Sequence, residues 1–216
     1  MKAFASWSGG KDCMLAIHRF SKNPNNELMY LVNMCDDEGE NSRSHGLKKE
    51  IIAAQATSMG VKIIQKATQY EGYEKKFKEV ISELKKEGVT AGVFGDIYLE
   101  AHRVWIVRVC TEMEIEAIFP LWLESTTDLM TEFIDLGFKT ITVAIRNTKL
   151  SDKWLGRIID ANFLNEITQL KDIDPCAENG EYHSFVFDGP NFKKPIPIKI
   201  GEKRIENNTT FINISL

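Results

Sequence analysis

The chain has 216 residues, a formal net charge of −4, 43% hydrophobic and 27% charged residues. That describes one large domain, or one domain with a smaller appendage, able to bury its core without staples, and the acidic balance gives no global pull toward nucleic acid. Cys13, Cys35, Cys110 and Cys176 are scattered and form no C-x-x-C pair, which argues against a zinc ribbon, a dithiol centre or a disulfide framework; with no apolar signal stretch and no run of about 18 apolar residues to cross a membrane, a reduced, cytoplasmic protein is expected.

In chain order, residues 3–7 form a short apolar run that predicts a buried strand, and residues 11–21 carry Met14, Leu15, Ile17 and His18 on a helical stripe. Residues 28–34 predict a second strand. Residues 48–59 predict a helix that stops at Gly60. A third strand over 61–64, a helix over 73–87, a strand over 89–94, a helix over 99–113 and a short strand over 117–120 continue the rhythm. Strand and helix alternating in this way predict an α/β fold, a parallel sheet with helices on both faces, whose ligands lie at the carboxyl ends of the strands. The rhythm weakens after Trp122. A helix over 127–136 closed by Gly137, a strand over 139–145, a helix over 160–170 and alternating segments at 181–187 and 196–205 predict a smaller α+β unit. A boundary is expected near 122–127, giving units over 1–124 and 125–216.

The strongest feature is Ser8-Gly9-Gly10-Lys11-Asp12, between the first strand and the first helix. Adjacent glycines let the backbone turn sharply and approach a ligand. The helix that follows offers unpaired N–H groups and the positive end of its dipole to an anion. Ser8 can add a hydroxyl and Lys11 a compact charge. The loop is neither G-x-x-x-x-G-K-[ST] nor G-x-G-x-x-G. Taken alone, a Gly-Gly pair is usually just a turn before a helix; the whole pentapeptide in this setting favours a phosphate site. Asp12 could be a first-turn acid suited to the dipole, or could hold the loop or a metal. Gly95 and Asp96 end another strand on the same rim, and Asp96 is a candidate Mg²⁺ ligand. His102, Arg103 and Arg108 follow on a helix; for Arg108 a solvated face is the plainer expectation.

A second cluster is Glu178-Asn179-Gly180-Glu181-Tyr182-His183-Ser184. Asn-Gly signals a tight turn, and the plain expectation is a hairpin with Asn179 and Gly180 at its tip. If residues 181–187 are a strand, Glu181 and His183 share a face, where a carboxylate beside an imidazole could move a proton.

Ser8–Asp12 resembles the PP-loop S-G-G-x-D-[ST] of ATP pyrophosphatases, with Cys13, a weaker donor, at the hydroxyl position. Together with Gly95-Asp96-Ile97, Pro120-Leu121-Trp122 and the 178–184 cluster, nearly the whole chain resembles the diphthine–ammonia ligase family. The resemblance implies an adenine nucleotide alpha hydrolase-like domain, a smaller C-terminal domain and a substrate cleft between them. It implies ATP and Mg²⁺, with ATP on Ser8, Gly9, Gly10, Lys11, Asp12, Gly95 and Asp96 and the metal on Asp12 and Asp96. A carboxylate would attack the α-phosphorus, release pyrophosphate and pass to ammonia or an amine. Glu178, Asn179, Gly180, Glu181 and His183 would meet the acceptor, with Lys11, Asp12, Glu181 and His183 as the catalytic set. Diphthine-type members carry E-G-G-E-[FY]-E-[TS]; Asn179 and His183 instead match a sister version associated with corrinoid metabolism, so the acceptor is either diphthine or a corrinoid-pathway carboxylate. Two other readings remain: a nucleotide-binding sensor without turnover, and a tRNA-modifying PP-loop enzyme. The second is disfavoured by the lack of paired cysteines or a basic module.

Overall fold

The computed structural model describes residues 1–43 and 45–216. Five parallel strands form the first sheet: β1 (Lys2–Ser6), β2 (Glu27–Cys35), β3 (Lys62–Ala67), β4 (Ala91–Val93) and β5 (Glu116–Ile118), in the order β3-β2-β1-β4-β5. Helices α1 (Lys11–Ser21) and α2 (Lys49–Met59) cover one face; α3 (Tyr73–Lys86) and α4 (Glu100–Glu112) cover the other. The sequence explains the division. Ala3, Ala5 and Ala91 are small and admit α1 closely on one side. Phe4 points to the other side and meets Phe77 and Phe94 edge to face. In α3, Phe77, Val80, Ile81 and Leu84 recur at the spacing of one helical face and are buried. Gly60 adopts φ +74° and ends α2 in the left-handed conformation that glycine accepts without a Cβ penalty.

The remaining chain forms α5 (Thr126–Asp135), β6 (Lys139–Arg146), α6 (Ala161–Ile167), β7 (Tyr182–Asp188), β8 (Lys199–Glu206) and β9 (Thr209–Ser215). Their four strands make an antiparallel sheet in the order β7-β6-β9-β8. Ser125 and Asp160 cap α5 and α6 through their side-chain oxygens.

Helix α1 lies between the two sheets. It buries Cys13, Met14, Leu15, Ala16, Ile17 and Phe20, more than one stripe, because both sides face protein. Each large apolar side chain hidden here contributes about 1.5–3 kcal/mol. One apolar cluster therefore runs from Ala5 and Leu31 through α1 to Phe138, Tyr182, Phe185 and Ile212.

The expected elements appear with three differences. Residues 117–120 pair only as far as Ile118. Strand β9, absent from the sequence reading, pairs with both β6 and β8. The Asn179-Gly180 dipeptide is not a hairpin tip: β7 pairs with β6, and the turn is closed locally by the Gly180 N–H on the Ala177 carbonyl, 2.9 Å. Among the described residues, no helix is long and apolar enough to cross a membrane. All four cysteines are free and buried.

Candidate active site

In the strand order β3-β2-β1-β4-β5, the chain runs outward from β1 in one direction and then returns to the opposite edge of β1 with β4. Loops leaving β1 and β4 therefore diverge at their carboxyl ends and open a crevice, the usual ligand site of such sheets. A cavity of about 250 Å³ occupies that place. Its walls include Ser8, Asp12 and Cys13 from the first loop and helix, and Gly95 and Asp96 after β4. Arg43 and His45 come from the β2–α2 segment, His102 from α4, and Glu178 from the C-terminal unit.

Two glycines shape the loop. Gly9 sits at φ +85°, and a Cβ there would stand 2.6 Å from Ile52. Gly95 lets the end of β4 touch the start of α1; a Cβ would lie 2.7 Å from the Cys13 nitrogen. Helix α1 begins at Lys11 after Gly10 with no side-chain cap. The amides of Asp12 and Cys13 have no acceptor one turn earlier within the helix, and both residues line the cavity. Cys13 turns its thiol inward to the Gly10 carbonyl, 3.1 Å, so it holds the first turn in the way a serine or threonine hydroxyl would.

The C-terminal unit fastens the loop from behind. The Val186 N–H donates to the Gly9 carbonyl, 3.1 Å. The Lys11 N–H donates to Ser184 Oγ, 3.2 Å. The side chain of Gln55, fully buried, donates to both Gly9 and Val186 carbonyls and accepts from the Trp7 indole.

Lys11 was expected to reach a phosphate, and the structure directs it elsewhere. Only 4% of it is exposed. Its ammonium donates to Asp12, 3.0 Å, and to the Cys176 carbonyl, and sits 5.2 Å from the Tyr182 ring centre. Burial opposes its charge, but Asp12, Tyr182 and Cys176 outweigh that and hold its pKa above the usual lysine range. Lys11 is thus a brace between the units rather than part of the cavity wall.

Three carboxylates meet at the cavity. Burial lifts the Asp12 carboxyl above its usual range, against the pull of Lys11. Glu178 is also raised, first by burial, although it accepts from the Ile97 N–H at 2.8 Å. Asp96 accepts from His102 Nδ1 at 3.2 Å and raises the pKa of that imidazole. Among the described residues, no group of three His, Cys, Asp or Glu side chains is placed to hold a metal ion by itself.

Glu181 and His183 were expected to face the cleft together, and they keep different company. Glu181 precedes β7 and is 1% exposed. One of its oxygens accepts from the Asp174 N–H at 3.2 Å and from Asn179 at 3.4 Å; the other is buried without a partner among the described residues. Asn179 is exposed and also donates to the Tyr98 hydroxyl, 3.0 Å. The His183 ring lies 4.6 Å from that of His45, and burial, then Lys11 and Arg146, lowers its pKa to about 4. Of the 178–184 cluster, Glu178 alone is in the cavity wall. Arg108 is on a solvated face, paired with Glu74 and Glu112. Sequence reasoning missed Arg43 and His45, which lie between β2 and α2 in a stretch without periodicity; their position on the carboxyl rim was the available signal.

A doubly wound sheet with a glycine-bounded loop and a free helix start at its switch point defines an α/β protein whose crevice suits an anionic group. Residues 1–117 match the Diphthamide synthase N-terminal domain and residues 125–216 the Diphthamide synthase C-terminal domain. The chain belongs to the diphthamide synthase family. It is 30% identical to the diphthine–ammonia ligase of Danio rerio over 137 residues, 62% of this chain and 52% of that protein. The human diphthine–ammonia ligase is 28% identical over 134 residues, 61% of this chain and 50% of that protein. In Schizosaccharomyces pombe the enzyme of that name is 24% identical over 219 residues, 91% of this chain but 36% of the relative. This chain thus spans about half the length, or less, of these relatives. A solved structure described as a predicted subunit of tRNA methyltransferase from Methanocaldococcus jannaschii aligns over 91% of this chain and 100% of that one, with 17% identity and a TM-score of 0.46.

Proposed function

We propose that the chain is an ATP-dependent carbon–nitrogen ligase that activates a carboxylate by adenylation, releases pyrophosphate and joins the carboxyl group to ammonia. The observation that carries this reading is one cavity in which the Ser8–Cys13 loop, the Gly95-Asp96 segment and Glu178 of the C-terminal unit converge. The amides of Asp12 and Cys13 and the Ser8 hydroxyl receive phosphate oxygens, and the dipole of α1 favours the negative charge that grows on the leaving group. Gly9 and Gly95 keep the backbone close to that charge.

A triphosphate beside Asp12, Asp96 and Glu178 would be repelled by bare carboxylates. Their acceptor-only oxygens suit Mg²⁺, which typically takes one or two protein carboxylates and fills its sphere with phosphate oxygens and water. The raised carboxyls of Asp12 and Glu178 fit the same idea, since a nearby cation restores their charged form. When bound, Mg²⁺ supplies charge neutralisation on the transferring phosphoryl group. Arg43, with a buried Nε that has no partner among the described residues, has a donor to offer an anionic group. Glu178 reaches across from the other unit and places the acceptor beside the nucleotide, which is the entropic part of catalysis.

Diphthine, named in the relatives, is the first acceptor to test; His183 in place of the diphthine-type glutamate also supports a corrinoid carboxylate as the alternative. The experiment follows radiolabelled ATP with ammonium and either a diphthine-bearing protein or a carboxylate-bearing corrinoid. AMP and pyrophosphate that depend on one acceptor support the reading and choose between the two. ADP and phosphate as the products refute it, and nucleotide binding without turnover in any arm favours a sensor.

A further inference from the structure

The segment between β2 and α2 brings a second imidazole to the cavity. Arg43 is tied back to the sheet by its N–H on the Met34 carbonyl, 3.1 Å, and His45 then folds over the phosphate loop. The ring lies so close that a Cβ on Gly10 would be 2.5 Å from His45 Cε1. His45 Nδ1 is 2.9 Å from the Ser184 carbonyl oxygen. A carbonyl only accepts, so Nδ1 carries the proton. In the neutral ring Nε2 is then an unprotonated lone pair. The charged and titratable groups that face the ring are His183 from β7 and Lys11 from α1, with Arg146 at the end of β6 behind His183.

We propose that His45 is the proton acceptor of the carbon–nitrogen bond-forming step, with His183 as the residue that positions it. This rests on the ligase reading above. In that step the lone pair of ammonia forms a bond to the activated acyl carbon. The C–O bond to AMP breaks, and its electron pair leaves on the phosphate oxygen. One proton of the new C–N⁺H₃ group passes to His45 Nε2 and from there to water, leaving a neutral amide. The other cavity groups are less suited. Asp12, Asp96 and Glu178 are acidic side chains suited to a cation, and the His102 ring is more than half exposed and held by Asp96. Burial, His183 and Lys11 all keep His45 well below the ordinary histidine range, so the ring is unprotonated at neutral pH. His183 occupies the place where diphthine-type sequences carry glutamate. A carboxylate there would favour the imidazolium and close the base at higher pH.

The test uses the full chain, ammonium chloride and a diphthine-bearing protein. His45→Asn keeps an N–H where Nδ1 meets Ser184 and has no second nitrogen. Amide formation should fall by at least about 100-fold in kcat, with the KM for ATP moving by less than about tenfold. Hydroxylamine, a better nucleophile that is neutral at the same pH, should recover much of the loss. His183→Glu should move the acid limb of the pH profile upward, whatever it does to the maximal rate. An undiminished His45→Asn, or an acid limb that ignores His183→Glu, overturns the assignment. Diethyl pyrocarbonate supplies a reading that needs no acceptor: His45 Nε2 should be carbethoxylated at pH 7 and protected by ATP, as mapped by mass spectrometry. If wild type forms no amide, the acceptor assignment fails on its own account, and a His45 that does not react, or reacts without ATP protection, rules out its place beside the nucleotide.

Discussion

Replacing Gly95 by alanine tests whether the contact between β4 and α1 sets the nucleotide site. The added Cβ would lie 2.7 Å from the Cys13 nitrogen, 2.9 Å from the Asp12 carbonyl carbon and 3.0 Å from the Cys13 Cα. All three are backbone atoms, so no rotamer change relieves the clash. Ordinary contact begins at 3.4 Å, and the start of α1 must retreat by about 0.7 Å. Overpacking of this kind costs about 1–3 kcal/mol. Weakening one hydrogen bond to a charged phosphate costs about 1.5–3 kcal/mol, or about one to two orders of magnitude in affinity. Gly95→Ala should therefore lose about 1–3 kcal/mol in urea unfolding and one to two orders of magnitude in ATP affinity by calorimetry. Gly92→Ala is the control. Its Cβ meets the ends of Phe4 and Phe94, 2.8 and 2.9 Å away, in the core below the site. That variant should lose comparable stability while keeping its ATP affinity. Equal affinity in both variants would refute the link between helix position and phosphate binding.

Lys11→Met leaves Asp12 and the Cys176 carbonyl without their cation. The cost should be about 3 kcal/mol, the low end for a broken buried pair because 30% of the Asp12 side chain is exposed; a urea midpoint within error of wild type would show that the brace is not structural. Glu178→Gln keeps an acceptor for the Ile97 N–H and removes a charge that burial disfavours. The folded pKa of Glu178 is raised, so its penalty is absent below the unfolded value and grows as pH rises through the folded one. The variant should gain stability over wild type at pH 7 by about 1.4 kcal/mol for each pH unit of the shift, and the gain should vanish near pH 4; a gain that persists there sinks the argument. If Glu178 places the acceptor, the same variant should lose ligase turnover while it melts higher. Ser184→Ala removes the acceptor for the Lys11 N–H and should cost about 1 kcal/mol, visible as a lower melting temperature by calorimetry.

The N-terminal half was legible because its signals are local. The α1 stripe, the αL stop at Gly60 and the spacing of Phe77, Val80, Ile81 and Leu84 each follow from short-range chemistry, and the elements appear within a few residues of their expected places. Strand β9 was missed although Thr210, Ile212 and Ile214 alternate into the core and Asn207-Asn208 turns the chain between β8 and β9. Its polar content, with Thr209 and Asn213 on the outer side, blurred the pattern. Around the site the loop could be read, but what faces it could not. Period-two reasoning assumed that Glu181 belongs to the strand with His183; it lies one residue outside, and the partners of its carboxylate are in the 174–179 turn. Lys11 carries the right charge in the right motif, yet its direction is set by Tyr182 and Cys176, about 165 residues away in sequence. Arg43 and His45 depend on topology alone.

The fastening of Gly9 and Lys11 by Val186, Ser184 and Gln55 bears on how the molecule can be divided. A fragment cut near residue 124 would hold every residue of the phosphate motif and still lack the strand that shapes it. It would also lay bare the side of α1 that now packs on Phe138, Tyr182 and Phe185. Such a fragment should aggregate rather than act as a portable nucleotide-binding module. In the intact chain, the amides of the loop and of β7 should exchange with deuterium as one protected unit, because neither can open without releasing the other.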